Sequence, residues 1–320
     1  MRPVTESLTS TLLTTSTTVP LRPRYEGSNI CTWIGFKHVN YLVEEAVLEH
    51  FRAAGLSSRR LFEEFGLGLD VVELDTRIRT AFHLDDVGIA RVEPATGAGS
   101  GELSFAVTID KDGYGPGRAV AATARVVLRR ERYIDPTSDV PAELAPFTVD
   151  AIGDAVWTDA PPADPDVVLQ RLLAGRNAYG WRQRIPYPYC HFNERLQMSG
   201  YLRQMEAAAD LFLADRGISI RQLLDGRRWI PVVPHSRIWM LAEALLEEDL
   251  YTVYTVDEVF KDLTYRSTMD TYVVRDRRLI HTATGSITHG YAKIQNRRDW
   301  TLVNIDAPVL DAIRGAGPDR

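Results

Sequence analysis

The feature that most constrains this chain is an internal repeat. The residues from Tyr41 to Phe62 read YLVEEAVLEHFRAAGLSSRRLF, and those from Arg203 to Leu224 read RQMEAAADLFLADRGISIRQLL. Gly55 and Gly217 align at an offset of 162 positions, and the same offset pairs Glu44 with Glu206, Ser57 with Ser219 and Arg59 with Arg221. Apolar residues dominate both stretches, as in a long helix that is packed against a core. The sequence therefore predicts two copies of one structural unit.

Each predicted helix is followed by strand-like sequence. In the first copy Leu103, Phe105, Val107 and Ile109 alternate with other residues, and residues 264–274 and 279–294 of the second copy read the same way. A period of two is typical of half-buried strands. An antiparallel sheet wrapped around one helix satisfies this order, and that is the hot-dog architecture of the α+β class. We predict a tandem, or double, hot-dog with two long central helices; the alternative is two unrelated α+β domains with a chance similarity.

The remaining segments give the predicted domain bounds. Residues 1–24 are rich in Ser and Thr and are predicted to be a disordered leader, followed by the first hot-dog at residues 25–134. Residues 135–181 are rich in proline and are predicted to be a linker with one short helix at 166–173. The second hot-dog is expected at residues 182–306 and a loose tail at 307–320.

Composition excludes several classes of protein. The formal net charge of -6 disfavours nucleic-acid binding, although a local patch of positive charge can still bind anions. No apolar run approaches the roughly 20 residues that cross a bilayer, so no membrane association is expected. Cys31 and Cys190 are too few for a disulfide framework or a zinc site, so we expect a cytoplasmic protein without a bound metal.

The loop that leads into the first helix carries the strongest motif. It reads CTWIGFKHVNYLVEE from Cys31 to Glu45, and His38-Val39-Asn40 resembles the HVN signature of hot-dog acyl-thioesterases. Those families carry an aspartate slightly upstream, where this chain has Thr32-Trp33-Ile34, so the resemblance supports the fold more strongly than it supports hydrolysis.

The resemblance implies a thioester site at the start of this helix. We expect Asn40 at the N-cap with its amide directed at the ligand, and His38 beside it. Trp33, Gly35, Glu44 and Glu45 are expected to contact substrate. For the two glutamates the alternative is stabilisation of the helix dipole from the first turns.

The second copy enters its helix with CHFNERLQMSGYLRQME, from Cys190 to Glu206. His191 stands where hot-dog thioesterases carry aspartate, and Asn193 and Glu194 follow. These three residues form either a second site or a degenerate copy that is kept for packing, and we favour the second interpretation.

A narrower resemblance rests on GSNICTWIGFKHVNYLVEEA and on RRLFEEFGLGL after the first helix. Both segments are similar to the bifunctional acyltransferase/decarboxylases of leinamycin-type polyketide biosynthesis. That family implies methylmalonyl-coenzyme A as donor, an acylated tyrosine, and propionyl transfer to an acyl carrier protein, with no cofactor beyond the coenzyme A thioester. The tyrosine position is Phe62 here, and phenylalanine has no hydroxyl to acylate. The chain is then either a Tyr→Phe variant or a natural relative with altered function, unless Phe62 is only a core residue.

The chemistry of that family would use the same residues. A tyrosine nucleophile has a reference pKa of about 10 and needs a base, for which His38 is the candidate. The alternatives are an acyl-thioesterase with Glu194 or Glu45 as base, a hot-dog dehydratase, and a thioester-binding or carrier-docking module without activity. Acyl-coenzyme A and an acyl carrier protein are the expected partners, and a homodimer is left open.

Overall fold

The computed structural model describes residues 8–96, 101–113, 118–153, 156–158, 164–192, 194–296 and 299–315. The chain divides into two compact units, Met1–Ile152 and Gly153–Arg320. No helix among the described residues is long and apolar enough to cross a membrane.

The N-terminal unit is a long helix packed against an antiparallel sheet. Its helices are α1 (Leu8–Thr14), α2 (Phe36–Ala53) and α3 (Ser58–Phe65). Its strands are β1 (Thr17–Leu21), β2 (Leu67–Ile78), β3 (Gly88–Pro94), β4 (Leu103–Lys111), β5 (Arg118–Arg130) and β6 (Thr148–Val149). The antiparallel order is β1-β3-β4-β5-β2, and β6 lies parallel to the end of β5.

Apolar spacing and caps explain these elements. Val39, Val43, Ala46 and Val47 follow helical spacing and are completely buried, and this stripe is the core side of α2. A short turn then leads to α3, where the Ser57 hydroxyl accepts the Arg60 N–H. The alternating burial of β4 shows that one face of the sheet points to the core.

The C-terminal unit repeats this plan. Its helices are α4 (Pro165–Leu173), α5 (Met198–Asp215), α6 (Ile220–Arg227) and α7 (Ala307–Arg314). Its strands are β7 (Val156–Thr158), β8 (Ala178–Arg184), β9 (Cys190–His191), β10 (Arg195–Leu196), β11 (Trp229–Met240), β12 (Asp249–Phe260), β13 (Thr264–Arg275), β14 (Arg278–Ile294) and β15 (Trp300–Val303). The order is β11-β14-β13-β12-β8, β7 and β15 also pair with β14, and β9 and β10 form a separate hairpin.

The offset of 162 holds for the whole elements and not only for the aligned residues. It converts the bounds of α2, α3 and β2 into those of α5, α6 and β11 without a shift. Ser57 and Ser219 are both N-caps, and both β2 and β11 have a bulge about six residues from their start. The predicted repeat is therefore present in the folded chain.

The prediction of a disordered leader is wrong for residues 8–21. Strand β1 pairs with β3, and Leu12 of α1 is completely buried. The buried His50 ring fixes this segment on α2, since its Nε2 lies 2.9 Å from the Leu12 carbonyl oxygen and its Nδ1 lies 2.8 Å from the Thr17 hydroxyl. Residues 1–7 of the predicted leader lie outside the described residues.

The predicted linker and tail also contain ordered elements. The short helix expected at 166–173 is present as α4, but β7 and the start of β8 also fall within the predicted linker, and β8 is the strand next to β12. The tail is not loose up to residue 314, because Val309, Leu310 and Ile313 of α7 are buried against a cluster that includes Leu223 and Trp229. The physical reason is that these apolar side chains cover the end of the core of the C-terminal unit.

Candidate functional site

The loop that leads into α2 is held in a strained conformation. Cys31 and Thr32 have φ angles of 63° and 64°, in the left-handed region that residues with a β-carbon rarely adopt. Two backbone hydrogen bonds hold the segment that follows: the Ile34 N–H donates to Phe82 O over 2.8 Å, and the Gly35 N–H donates to Gly27 O over 3.0 Å. The loop is thereby fastened to its neighbours immediately before the helix begins.

Helix α2 begins at Phe36, and its N-cap is Gly35. The expectation that Asn40 is the N-cap is therefore wrong, because Asn40 is the fifth residue of the helix. The unpaired N–H groups of the helix start belong to the turn that begins at Phe36. A β-carbon at position 35 would come within 2.9 Å of the Asn29 amide nitrogen, so a larger residue here would have to displace the Asn29 side chain.

Asn40 is fixed at both ends of its amide. It is 1% exposed, its Nδ2 donates to Phe36 O over 2.9 Å, and its Oδ1 accepts the Thr76 hydroxyl over 2.7 Å. Thr76 is completely buried on β2. These bonds set the orientation of the Asn40 side chain, which is what a group that must present an N–H to a ligand requires.

His38 is buried between the loop and the helix. Its Nε2 lies 3.3 Å from Glu26 Oε1, and its ring meets the edge of Tyr41 at a centroid distance of 5.0 Å. A β-carbon on Gly27 would lie 2.7 Å from the His38 ring, so the loop backbone rests directly against the imidazole. These contacts support the interpretation of His38 as a residue that holds the loop.

Glu44 has the most perturbed carboxyl among the predicted site residues. Burial, and secondly repulsion from the Glu45 carboxylate, raise the pKa of Glu44 to about 7. Glu45 instead lies 2.7 Å from Arg52 Nη1 in an ion pair. Both glutamates lie in the third turn of α2, beyond the first turn in which the helix dipole stabilises carboxylates. Stabilisation of the dipole therefore does not explain Glu44, and a carboxyl that titrates near neutral pH is a candidate acid–base group.

The other predicted residues of the N-terminal unit are placed as follows. Trp33 is buried, pairs with His83 in a β-bridge and meets its ring edge-on at 6.1 Å. Phe62 is half-buried on α3, whereas His38 and Asn40 lie in the first two turns of α2. Phe62 therefore stands on a different helix from His38 and Asn40.

The C-terminal unit lacks the motif at the matching positions. The offset of 162 places Gly200, Tyr201 and Leu202 where the first unit has His38, Val39 and Asn40. His191 lies on β9 with its ring against Phe192 at 4.7 Å, and the Glu194 carbonyl accepts the Leu246 N–H. Asn193 lies outside the described residues. The loss of the imidazole and the amide supports the interpretation of this copy as degenerate.

Comparison with known proteins identifies the architecture. No protein-family model matches the chain, and no curated protein matches it in sequence. A solved structure described as an oleoyl thioesterase from Lactobacillus plantarum is 11% identical and has a TM-score of 0.58 over 87% of this chain and 96% of that one. The 12:0-ACP thioesterase from Umbellularia californica is 10% identical, with a TM-score of 0.57 over 86% of this chain and 93% of its own.

An acyl-ACP thioesterase from Bacteroides thetaiotaomicron is also similar, at 10% identity and a TM-score of 0.52 over 86% of this chain and 97% of its own. This chain has a double hot-dog fold. The predicted α+β class and the tandem arrangement are confirmed, and at these identities the likeness extends to the fold alone.

Sequence reasoning missed two residues that contact the candidate site residues. Thr76 accounts for the position of Asn40, and its sequence signal is a polar residue on the inward face of an alternating strand. Glu26 faces His38 from a loop twelve residues upstream, and no sequence pattern indicates that contact.

Proposed function

We propose that this protein hydrolyses acyl thioesters of coenzyme A or of an acyl carrier protein, with Glu44 as the general base. The observation that carries the proposal is the half-buried Glu44 carboxyl one turn after Asn40 on the same helix, and burial raises its pKa to about 7. A carboxyl with that pKa is about half ionised at neutral pH, so it can accept a proton from water and return it to the leaving thiol. The three solved proteins named above are described as thioesterases, and this supports the substrate class.

The positions of Asn40 and Glu44 support a shared role. The two residues are four apart and lie on one face of α2. Helical side chains lean toward the helix N-terminus, which brings the Glu44 carboxyl toward the Asn40 amide. Along the helix axis the N-terminus at Phe36 lies about 12 Å from Glu44, whereas Asn40 lies about 6 Å from it. We therefore assign the thioester carbonyl to the Asn40 amide and not to the helix N-terminus.

The step uses water as its only co-reactant. Glu44 accepts a proton from a water molecule as the water oxygen bonds to the carbonyl carbon, and the Asn40 N–H stabilises the charge on the carbonyl oxygen. The carbon–sulfur bond then breaks, and the thiolate takes the proton from Glu44. The products are a carboxylic acid and a free thiol, and Glu44 is again a carboxylate.

The test is the release of free thiol from acyl-coenzyme A substrates of increasing chain length. We expect kcat/KM to rise with pH through a pKa near 7, and Glu44→Gln to lower kcat by roughly 10²–10⁴-fold. Glu206→Gln, at the matching position of α5, is the control and should retain activity. Undiminished turnover by Glu44→Gln, or no thiol release by the unaltered protein, would overturn the proposal.

A second candidate is decarboxylating acyl transfer, which is favoured by the resemblance of residues 27–46 and 59–69 to the acyltransferase/decarboxylases. Phe62 cannot be acylated, so this activity requires Phe62→Tyr. That variant is incubated with methylmalonyl-coenzyme A and an acyl carrier protein, and the carrier is weighed by intact mass spectrometry. Propionyl on the carrier supports acyl transfer, whereas free acid with an unloaded carrier supports hydrolysis. Loss of water from a 3-hydroxyacyl thioester would instead indicate a dehydratase, and binding without turnover a docking module.

A further inference from the structure

The arginines of the N-terminal unit differ in how their charge is balanced. Six of them form ion pairs with carboxylates of the same unit: Arg52 with Glu45 and Glu49, Arg59 with Glu63, Arg60 with Glu64, Arg91 with Glu93, Arg125 with Glu73 and Glu102, and Arg130 with Asp150. Arg22, Arg24 and Arg79 are exposed and form no ion pair within the described part of the chain. Such unneutralised guanidinium groups favour an anionic ligand.

These three arginines stand on loops that meet at the start of α2. Arg22 and Arg24 follow β1, and Arg22 Nη1 donates to the Asp85 carbonyl oxygen over 3.2 Å. Arg79 follows β2 and begins the loop that contains Asp85. The same loop is bonded to the residues before α2, through Leu84 N–H to Thr32 O and Ile34 N–H to Phe82 O. The three arginines therefore lie on loops at the end of the unit where the helix with the HVN motif begins.

Two other arginines at this end belong to a different environment. Arg118 lies directly opposite Asp110 in the β4–β5 register, and Arg77 follows Asp75 on the same face of β2. Both lie within strands, whereas Arg22, Arg24 and Arg79 lie on loops. Asp86, on the loop itself, is already paired with Lys111 at 2.6 Å. Arg22, Arg24 and Arg79 together form the arginine cluster.

The repeat provides an internal comparison for the cluster. The offset of 162 places Arg184, Pro186 and Leu241 at the positions of Arg22, Arg24 and Arg79. Arg184 is neutralised by Glu247 at 2.6 Å, and Glu247 is itself the counterpart of Asp85. The copy that lacks counterparts of His38 and Asn40 thus also lacks an unneutralised arginine at these three positions. The cations and the motif occur together in one unit, as expected when both serve one ligand.

We infer that the arginine cluster binds the phosphate groups of coenzyme A when a coenzyme A thioester enters the α2 site. The identity of the ligand rests on the proposed function, because coenzyme A is the anionic part of that substrate. Guanidinium groups bind phosphate oxygens in a bidentate manner, and three of them match the several charges that one coenzyme A carries. Docking of an acidic carrier protein over a wide surface is disfavoured by the formal net charge of -6.

The test measures binding and does not require turnover. Calorimetry compares coenzyme A with pantetheine, which has the same thiol arm without phosphates, on the unaltered protein and on an Arg24→Gln/Arg79→Gln variant. We expect the Kd for coenzyme A to rise roughly tenfold or more in the variant, while pantetheine binding is unchanged. Arg171→Gln, which removes an exposed arginine of α4 in the other unit, is the control and should bind coenzyme A normally.

The outcomes separate this inference from the proposed function. If the double variant binds coenzyme A as well as the unaltered protein does, the phosphate site is refuted. If Glu44-dependent hydrolysis is nevertheless present, the proposed function stands. Loss of coenzyme A binding in the double variant supports the phosphate site even if no thioester is hydrolysed, in which case only the proposed function fails. A double variant that is impaired only with carrier-protein thioesters would overturn coenzyme A as the ligand.

Discussion

Glu44→Gln should stabilise the protein while it removes activity. A rise in the pKa of the Glu44 carboxyl from 4.5 to about 7 costs the folded state about 3 kcal/mol once both states are ionised. The unfolding free energy falls as the pH rises, because the unfolded chain releases the Glu44 proton before the folded chain does. The unfolded chain loses this proton from about pH 4.5 upward, the folded chain keeps it until about pH 7, and the unfolding free energy falls through that window.

A neutral amide at position 44 has no such cost. We expect Glu44→Gln to exceed the unaltered protein in unfolding free energy by about 1 kcal/mol at pH 5 and about 3 kcal/mol at pH 8. Urea unfolding followed by tryptophan fluorescence at the two pH values measures the difference, and Glu206→Gln serves as the matched control. An advantage of the same size at both pH values would refute the reasoning, because it would show that Glu44 is ionised alike in the folded and unfolded states. Greater stability together with lost activity is the pattern expected of a residue kept for function.

Three further predictions concern the site and the two cores. Replacing Thr76 by Ile should cost about 1–3 kcal/mol of unfolding free energy, since it leaves Asn40 Oδ1 buried without its donor. The double variant Asn40→Leu/Thr76→Ile copies Leu202 and Ile238 of the second unit, so a double-mutant cycle should show that it is less destabilising than the sum of the single changes. Thioester turnover should be lost in the double variant. Burial lowers the pKa of His289 to about 3. Below about pH 6.5 this residue should therefore lower the unfolding free energy by about 1.4 kcal/mol for each unit by which the pH falls. In His289→Phe this contribution to the pH dependence of the unfolding free energy should be absent. Removing the buried side chain of α7 with Leu310→Ala should cost about 2–5 kcal/mol, and an unchanged melting temperature would show that α7 does not cover the core.

The repeat explains how much of the fold could be predicted. The helix pattern around Gly55 and Gly217 is strong enough to align the copies, and the same offset then gives the bounds of the next helix and strand. The first elements of the repeat were missed because α1 and β1 lie in a segment rich in Ser and Thr. They are held by one buried leucine, by His50 and by pairing with β3, and a sequence does not reveal contacts across such separations.

The positions of the candidate site residues were only partly predictable. The HVN motif falls on α2, but the preference of asparagine for N-caps placed Asn40 at the helix start, whereas Gly35 is the cap. The sequence pointed to Glu44 as a candidate but not to its raised pKa, because a pKa near 7 depends on burial that only the folded chain creates. The partnership of Thr76 with Asn40 joins residues 36 positions apart and could not be read from spacing.

Strand β1 has a practical consequence for anyone who shortens this chain. It occupies the outer side of β3, so a protein that starts after residue 21 would expose the N–H and C=O groups of β3 along five registered pairs. Exposed strand edges of this kind pair with other chains, so such a truncation should aggregate even where every residue of the proposed site on α2 is retained.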